Sequence, residues 1–217
     1  MKYLCLALLV VALVPVAALA SPSGLNNIPT ADTCTPSVLV LQAYSNFGSD
    51  MKTSYTAGAK YGAAKGLEVG VDYQFAPDGS TGPINLQVKQ AWWPGDAQTG
   101  YCLGLAGITG DWSEHHVFPY GVVSHKFNAL DRGHIGYAPQ QDAQQFFVGY
   151  DHQFESALLR ADYVRNDDAD SSMYSLGALV PTKWGAVEGW VTRVDAAGDN
   201  TVFTLKLDYA IDFTKSE

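Results

Sequence analysis

From about residue 38 to residue 213 the chain alternates apolar and polar positions in short runs. Twelve such segments can be drawn, at roughly 38–47, 53–62, 67–75, 84–92, 101–108, 118–127, 132–138, 145–153, 158–165, 173–180, 186–194 and 201–213. In the third, Leu67, Val69, Val71, Tyr73 and Phe75 share one face, and Glu68, Gly70, Asp72 and Gln74 share the other. In the last, Phe203, Leu205, Leu207, Tyr209, Ile211 and Phe213 oppose Thr204, Lys206, Asp208, Ala210 and Asp212. Successive Cβ atoms of an extended chain point to opposite sides, so a period of two with one apolar face predicts a half-buried strand. Turn-forming residues separate the segments, and no helical period persists. The prediction is an all-β chain: an antiparallel up-and-down barrel of about twelve strands. Ten strands follow if a hairpin containing one of the weaker segments, 132–138 or 158–165, does not form.

A strand with one apolar face suits either a soluble sandwich with an apolar core or a membrane barrel that turns its apolar face to lipid. Charges in mid-strand favour the second. Lys60, Glu68, Asp72, Lys89, Arg132, Asp151, Arg160, Asp162, Glu188, Lys206 and Asp208 all fall on the polar side and are predicted to line a lumen. Five of them are basic and six acidic, which predicts a polar path without strong ion preference. Glycines at 58, 70, 104, 121, 136, 149 and 177 are predicted to face inward as well, leaving space or permitting bends. Aromatic residues gather at segment ends (Tyr73 and Phe75, Trp92 and Trp93, Tyr101, Tyr209 and Phe213), where a membrane interface belt would lie. A secreted sandwich that binds glycans is the soluble alternative, its mid-strand charges then facing water.

The first twenty residues bear on location. Lys2 is followed by an apolar run, Tyr3–Leu19, broken by Pro15 and ending in Ala18-Leu19-Ala20. A short positive start, an apolar stretch and a small-x-small triplet predict a cleaved signal peptide over 1–20. An uncleaved anchor helix is the alternative. Residues 21–36, rich in Pro, Ser, Asn and Thr, predict an irregular segment, and 37–217 the barrel. No later stretch of 18 apolar residues predicts a membrane helix. With the first strand rising from the periplasmic side, the connections on the far side are generally longer and more acidic than those on the near side. That asymmetry is expected of outer-membrane barrels.

Acidic residues outnumber basic ones, 22 to 13. No basic stripe is available to neutralise phosphates, which argues against nucleic acid as a partner. Cys34 and Cys102 are the only cysteines after the leader. In an oxidising compartment they are candidates for a disulfide that draws 21–36 across the periplasmic mouth; two unpaired small residues are the equal alternative. Asp167, Asp168 and Asp170 lack an EF-hand frame and read as a solvated loop. His115 and His116 are adjacent and point opposite ways. His125, His134 and His152 are dispersed along strands. No metal, cofactor or catalytic residue is therefore expected. Ser124 and His125 cannot share a strand face, and no nucleophile elbow or phosphate loop is present.

Two stretches resemble known outer-membrane proteins. Leu205-x-Leu207-x-Tyr209-x-Ile211-x-Phe213 resembles the closing strand that the outer-membrane assembly machinery reads, although Thr214 to Glu217 follow it. Gly24-Leu25-Asn26-Asn27-Ile28-Pro29-Thr30-Ala31-Asp32 is similar to the opening of YjbH-like outer-membrane proteins, a family linked to exopolysaccharide export. The resemblance implies outer-membrane lipid and the assembly machinery as partners. The expected function is a narrow polar pore for small hydrophilic solutes or ions, not an enzyme. A non-conducting structural barrel is the alternative.

Overall fold

A computed structural model describes residues 24–48, 53–95, 97–109, 117–139, 144–167, 170–195 and 200–214. Twelve strands run β1 Val38–Gly48, β2 Ser54–Ala64, β3 Leu67–Phe75, β4 Thr81–Trp92, β5 Thr99–Thr109, β6 Phe118–Lys126, β7 Asp131–Ala138, β8 Gln145–Gln153, β9 Leu158–Asn166, β10 Ser171–Thr182, β11 Gly185–Asp195 and β12 Asn200–Asp212. Each pairs antiparallel with its sequence neighbours, and β1 pairs with β12 to close the barrel. The twelve-strand reading holds, and the ten-strand version does not. The weaker segments β7 and β9 are both fully laddered on either side.

The period of two decides which way each side chain points. Along β12, Thr204, Lys206 and Asp208 are buried, whereas Phe203, Leu205, Leu207 and Tyr209 are exposed. Along β4 and β5, Ile84, Leu86, Leu103 and Leu105 are exposed, while Lys89 and Cys102 are buried. The molecule thus has a polar inside and an apolar outside, the reverse of a soluble protein. Outer aromatic rings pair across strands near the two ends, Phe47 on Phe203 at 5.8 Å and Trp92 on Tyr101 at 6.3 Å.

Two local features follow from glycine. Gly66, at φ 73°, makes the tight β2–β3 turn, where a Cβ would lie 2.1 Å from the Ala91 carbonyl oxygen. Gly107, at φ 65°, sits in a bulge where Ala106 and Gly107 together oppose Gln87.

The inward parity of one predicted position is corrected. Gly121 pairs with the outward-facing Leu103 and therefore lies on the outer surface. The ladder fixes this, because Tyr120, Val122 and Ser124 take the inward places of β6. The candidate loop residues His115, His116 and Asp168 lie outside the described residues.

Candidate functional site: the lumen and the segment inside it

The chain does not stay at the mouth of the barrel before β1. Residues 24–36 fold back into the lumen. The Leu25 N–H donates to the Ile28 carbonyl at 2.9 Å, closing a turn whose tip is Asn26-Asn27. The segment then crosses the barrel. Thr30 accepts from Lys89 on β4, Ala31 bonds to Ser124 on β6 and Asp32 pairs with Arg132 on β7. The Cys34 N–H donates to Glu68 on β3 at 2.7 Å. Pro36 then bridges to Gly62 on β2.

Apolar contacts accompany the polar ones. Leu25, Ile28 and Ala31 pack with Ala91, Cys102, Val122, Phe147 and Val164 into one buried cluster. Inward glycines make room for it. A Cβ on Gly149 would lie 2.4 Å from Leu25 Cδ1 and 2.6 Å from Ile28 Cδ1. A Cβ on Gly62 would lie 2.1 Å from the Thr35 carbonyl oxygen. That contact is with backbone, which cannot rotate away, so Gly62→Val is expected to lift the segment off β2. Cys34 reports the result. It is buried in the native chain, and burial together with the neighbouring Glu68 carboxylate keeps the thiol protonated well above its ordinary range. With Cys5 and Cys102 replaced by alanine, Gly62→Val should speed maleimide labelling of Cys34 at least tenfold. An unchanged rate would show that the segment stays docked.

Eight of the eleven predicted lumen residues form three groups. On one side Glu188 accepts from Arg160 at 2.7 Å and from Lys206 at 2.8 Å, and Lys206 lies 3.2 Å from Asp208. Gln42 donates to Asp208 at 3.0 Å. On another side Lys60 and Gln87 both meet Asp72. In the third group, under the segment, Arg132 grips both oxygens of Asp151 and reaches Asp32 at 2.8 Å. Burial pushes the Asp32 carboxyl up, but Arg132, Lys89 and His134 together hold it below the ordinary carboxylate range. Glu68 and Lys89 face each other across β3 and β4 beside Cys34. Asp162 stands apart, holding the turn at Asn26-Asn27.

Cys34 and Cys102 are both free thiols. The disulfide expected as one alternative is absent. Cys34 packs with Val38 and Val40, whereas Cys102 packs with the β4–β9 cluster. Hydrogen bonds and ion pairs hold the segment instead.

One arrangement escaped the sequence entirely. Ser124 Oγ lies 2.7 Å from His134 Nδ1, and His134 Nε2 lies 3.1 Å from Asp151 Oδ2. The three sit on β6, β7 and β8, so only cross-strand register unites them. The order is that of a nucleophile, base and orienting acid. Here it serves as a clasp. Ser124 has no exposed surface, and its Oγ accepts the Ala31 N–H at 2.9 Å. Asp151 is already committed to Arg132, and the strand N–H groups beside Ser124 lie in a β-sheet ladder. The contacts close a ring through the segment: Ala31, Ser124, His134, Asp151, Arg132 and Asp32.

On the other side of the segment is a cavity of about 360 Å³. Gly24 to Pro29 form part of its wall, with Tyr44, Lys60, Asp72, Gln87, Tyr120 and Phe147 among the rest.

A closed twelve-strand barrel with an apolar outside and a charged lumen defines a porin-like outer-membrane barrel. Among solved structures, it superposes on KdgM porin with a TM-score of 0.66 at 9% identity, over 78% of this chain and 98% of that one. KdgM porin in complex with disordered oligogalacturonate gives 0.65 at the same identity and coverage. A mutant of Rh. blastica porin gives 0.45 at 14% identity, over 73% of this chain and 55% of that one, a level that carries no argument. At these identities the likeness is one of fold. No family model matches the chain, and no curated protein matches it, so the similarity of Gly24–Asp32 to YjbH-like proteins finds no support there.

Proposed function

We propose that this chain is an outer-membrane pore for small hydrophilic solutes or ions, narrowed by its own N-terminal segment. The observation that carries the reading is the inversion of the barrel. Mid-strand charged side chains such as Lys60, Glu188 and Lys206 point inward, most large apolar ones point outward, and a cavity of about 360 Å³ lies against the segment. A barrel of this strand number falls between eight-strand barrels filled by side chains and porins with a wide channel. Residues 24–36 take up part of that intermediate room.

The charge pattern limits what passes. KdgM porin has been solved with an acidic oligosaccharide. In this chain Lys60, Arg132, Arg160 and Lys206 are each held by a lumen carboxylate. A basic track needs cations available to the solute, so acidic sugars are not the expected cargo. The porin fold favours a channel over a hydrolase, and the clasped Ser124 agrees with that.

Planar-bilayer recording tests the reading. The purified chain should give small discrete current steps, and Gly62→Val should enlarge them severalfold. Silent membranes with both proteins would favour the structural barrel.

A further inference from the structure

We infer that Asp162, Ser175 and Thr192 form a binding site for a primary ammonium ion carrying a second hydrogen-bonding group, and that Asn26-Asn27 occupies this site in the closed chain. The inference deepens the pore reading by naming a ligand class for the lumen.

Three observations lead to it. First, the acceptors converge on one nitrogen. Asn27 Nδ2 lies 3.4 Å from Asp162 Oδ1 and 3.0 Å from Thr192 Oγ1, and it also donates to Ser175 Oγ. An amide nitrogen carries two hydrogens, whereas an ammonium group carries three. Three acceptors around one nitrogen therefore suit an ammonium better than the amide that holds the place.

Second, Asp162 is buried, and among the described residues it makes no ion pair. Asp72, Asp151, Glu188 and Asp208 each have a cation within 4 Å. Beside a hydrogen bond with Ser175, Asp162 draws its donors from the segment, through the N–H groups of Asn26 and Asn27 on Oδ2 at 3.1 and 3.2 Å and through the amide on Oδ1. When the turn leaves, a desolvated carboxylate loses these donors. Buried charge is costly without a partner, so the vacated site selects a cation with several N–H donors.

Third, the site has a second polar arm. Asn26 Nδ2 donates to the Arg160 carbonyl oxygen at 3.3 Å, so a hydroxyl or amide joined to the ammonium has an acceptor to meet. The site lies near the middle of β9, β10 and β11, behind the Asn26-Asn27 turn that forms part of the cavity wall.

Competition for Asp162 is the test. Leu25 flanks the turn and is buried. Leu25→Cys, made in the full chain with Cys5, Cys34 and Cys102 changed to alanine, reports the turn through its rate of thiol labelling. Ethanolammonium chloride is expected to accelerate labelling at least threefold over tetramethylammonium chloride at equal ionic strength, because only the first has N–H donors. Asp162→Asn should abolish the difference relative to its own baseline. As a second arm, Asn27→Asp sets a carboxylate against Asp162 and should release the turn. Asn27→Asp with Asp162→Asn should restore it, since the new amide can donate. Equal acceleration by both cations, or a response that survives Asp162→Asn, overturns the inference. The readout does not need current, so a chain that responds but never conducts would defeat the pore reading and leave this site standing.

Discussion

Replacing Glu188 with alanine is expected to destabilise the barrel by about 3–5 kcal/mol, the usual cost of removing one member of a buried ion cluster. Glu188 is only 2% exposed and is the shared acceptor of Arg160 and Lys206. Its loss removes the carboxylate that Arg160 and Lys206 share and leaves Lys206 beside Asp208. Glu188→Gln should cost less, because the amide oxygen still accepts one hydrogen bond. Urea titration of refolding in lipid or detergent, followed by the gel shift between folded and heated protein, measures both. Equal midpoints for Glu188→Ala and the unaltered chain would mean that water reaches this cluster and screens it. The lumen would then be wetter than the burial of Glu188, Arg160 and Lys206 implies.

The second large effect tests what surrounds the outer face. Leu103 is 60% exposed near the middle of β5. In a water-soluble barrel, Leu103→Arg would be a surface substitution worth within about 0.5 kcal/mol. In a bilayer it places a guanidinium near the midplane at a cost of about 2–4 kcal/mol. The same change at Phe213, past the end of β12, should cost well under half as much, because the interface hydrates the charge. A difference between the two positions, measured by refolding into vesicles, would mark lipid contact. Its absence would mark the molecule as a water-soluble barrel.

How much was legible in the sequence differs between wall and filling. All twelve strands could be placed to within about three residues, including the weak pair β7 and β9. Alternation is local, and a strand with one apolar face cannot slip by one residue without exposing that face to the wrong medium. The same parity put Lys60, Glu68, Asp162 and Lys206 on the inner side. It failed at Gly121, because a glycine has no side chain to announce its direction. Only the pairing with Leu103 gave the answer.

Contacts between residues far apart in sequence were beyond reach. Ser124 met His134 rather than its neighbour His125, since neighbours on a strand face apart and partners come from the next strand. Cys34 and Cys102 suggested a covalent tie; the structure holds the segment with Asp32, Asn26 and Asn27 instead. Nothing in the spacing of Asn27, Asp162, Ser175 and Thr192 hints that they converge.

The sequence by itself determined an all-β chain, its strand boundaries and the polarity of each face, because these follow from a period of two. Tertiary structure decided the closed ladder between β1 and β12, the partners of each charge and the return of residues 24–36 into the lumen. The physical reason is range. Periodicity is read within a few residues, whereas the clasp at Ala31 and Asp32 and the site at Asp162 depend on strand register and on the space left by inward glycines.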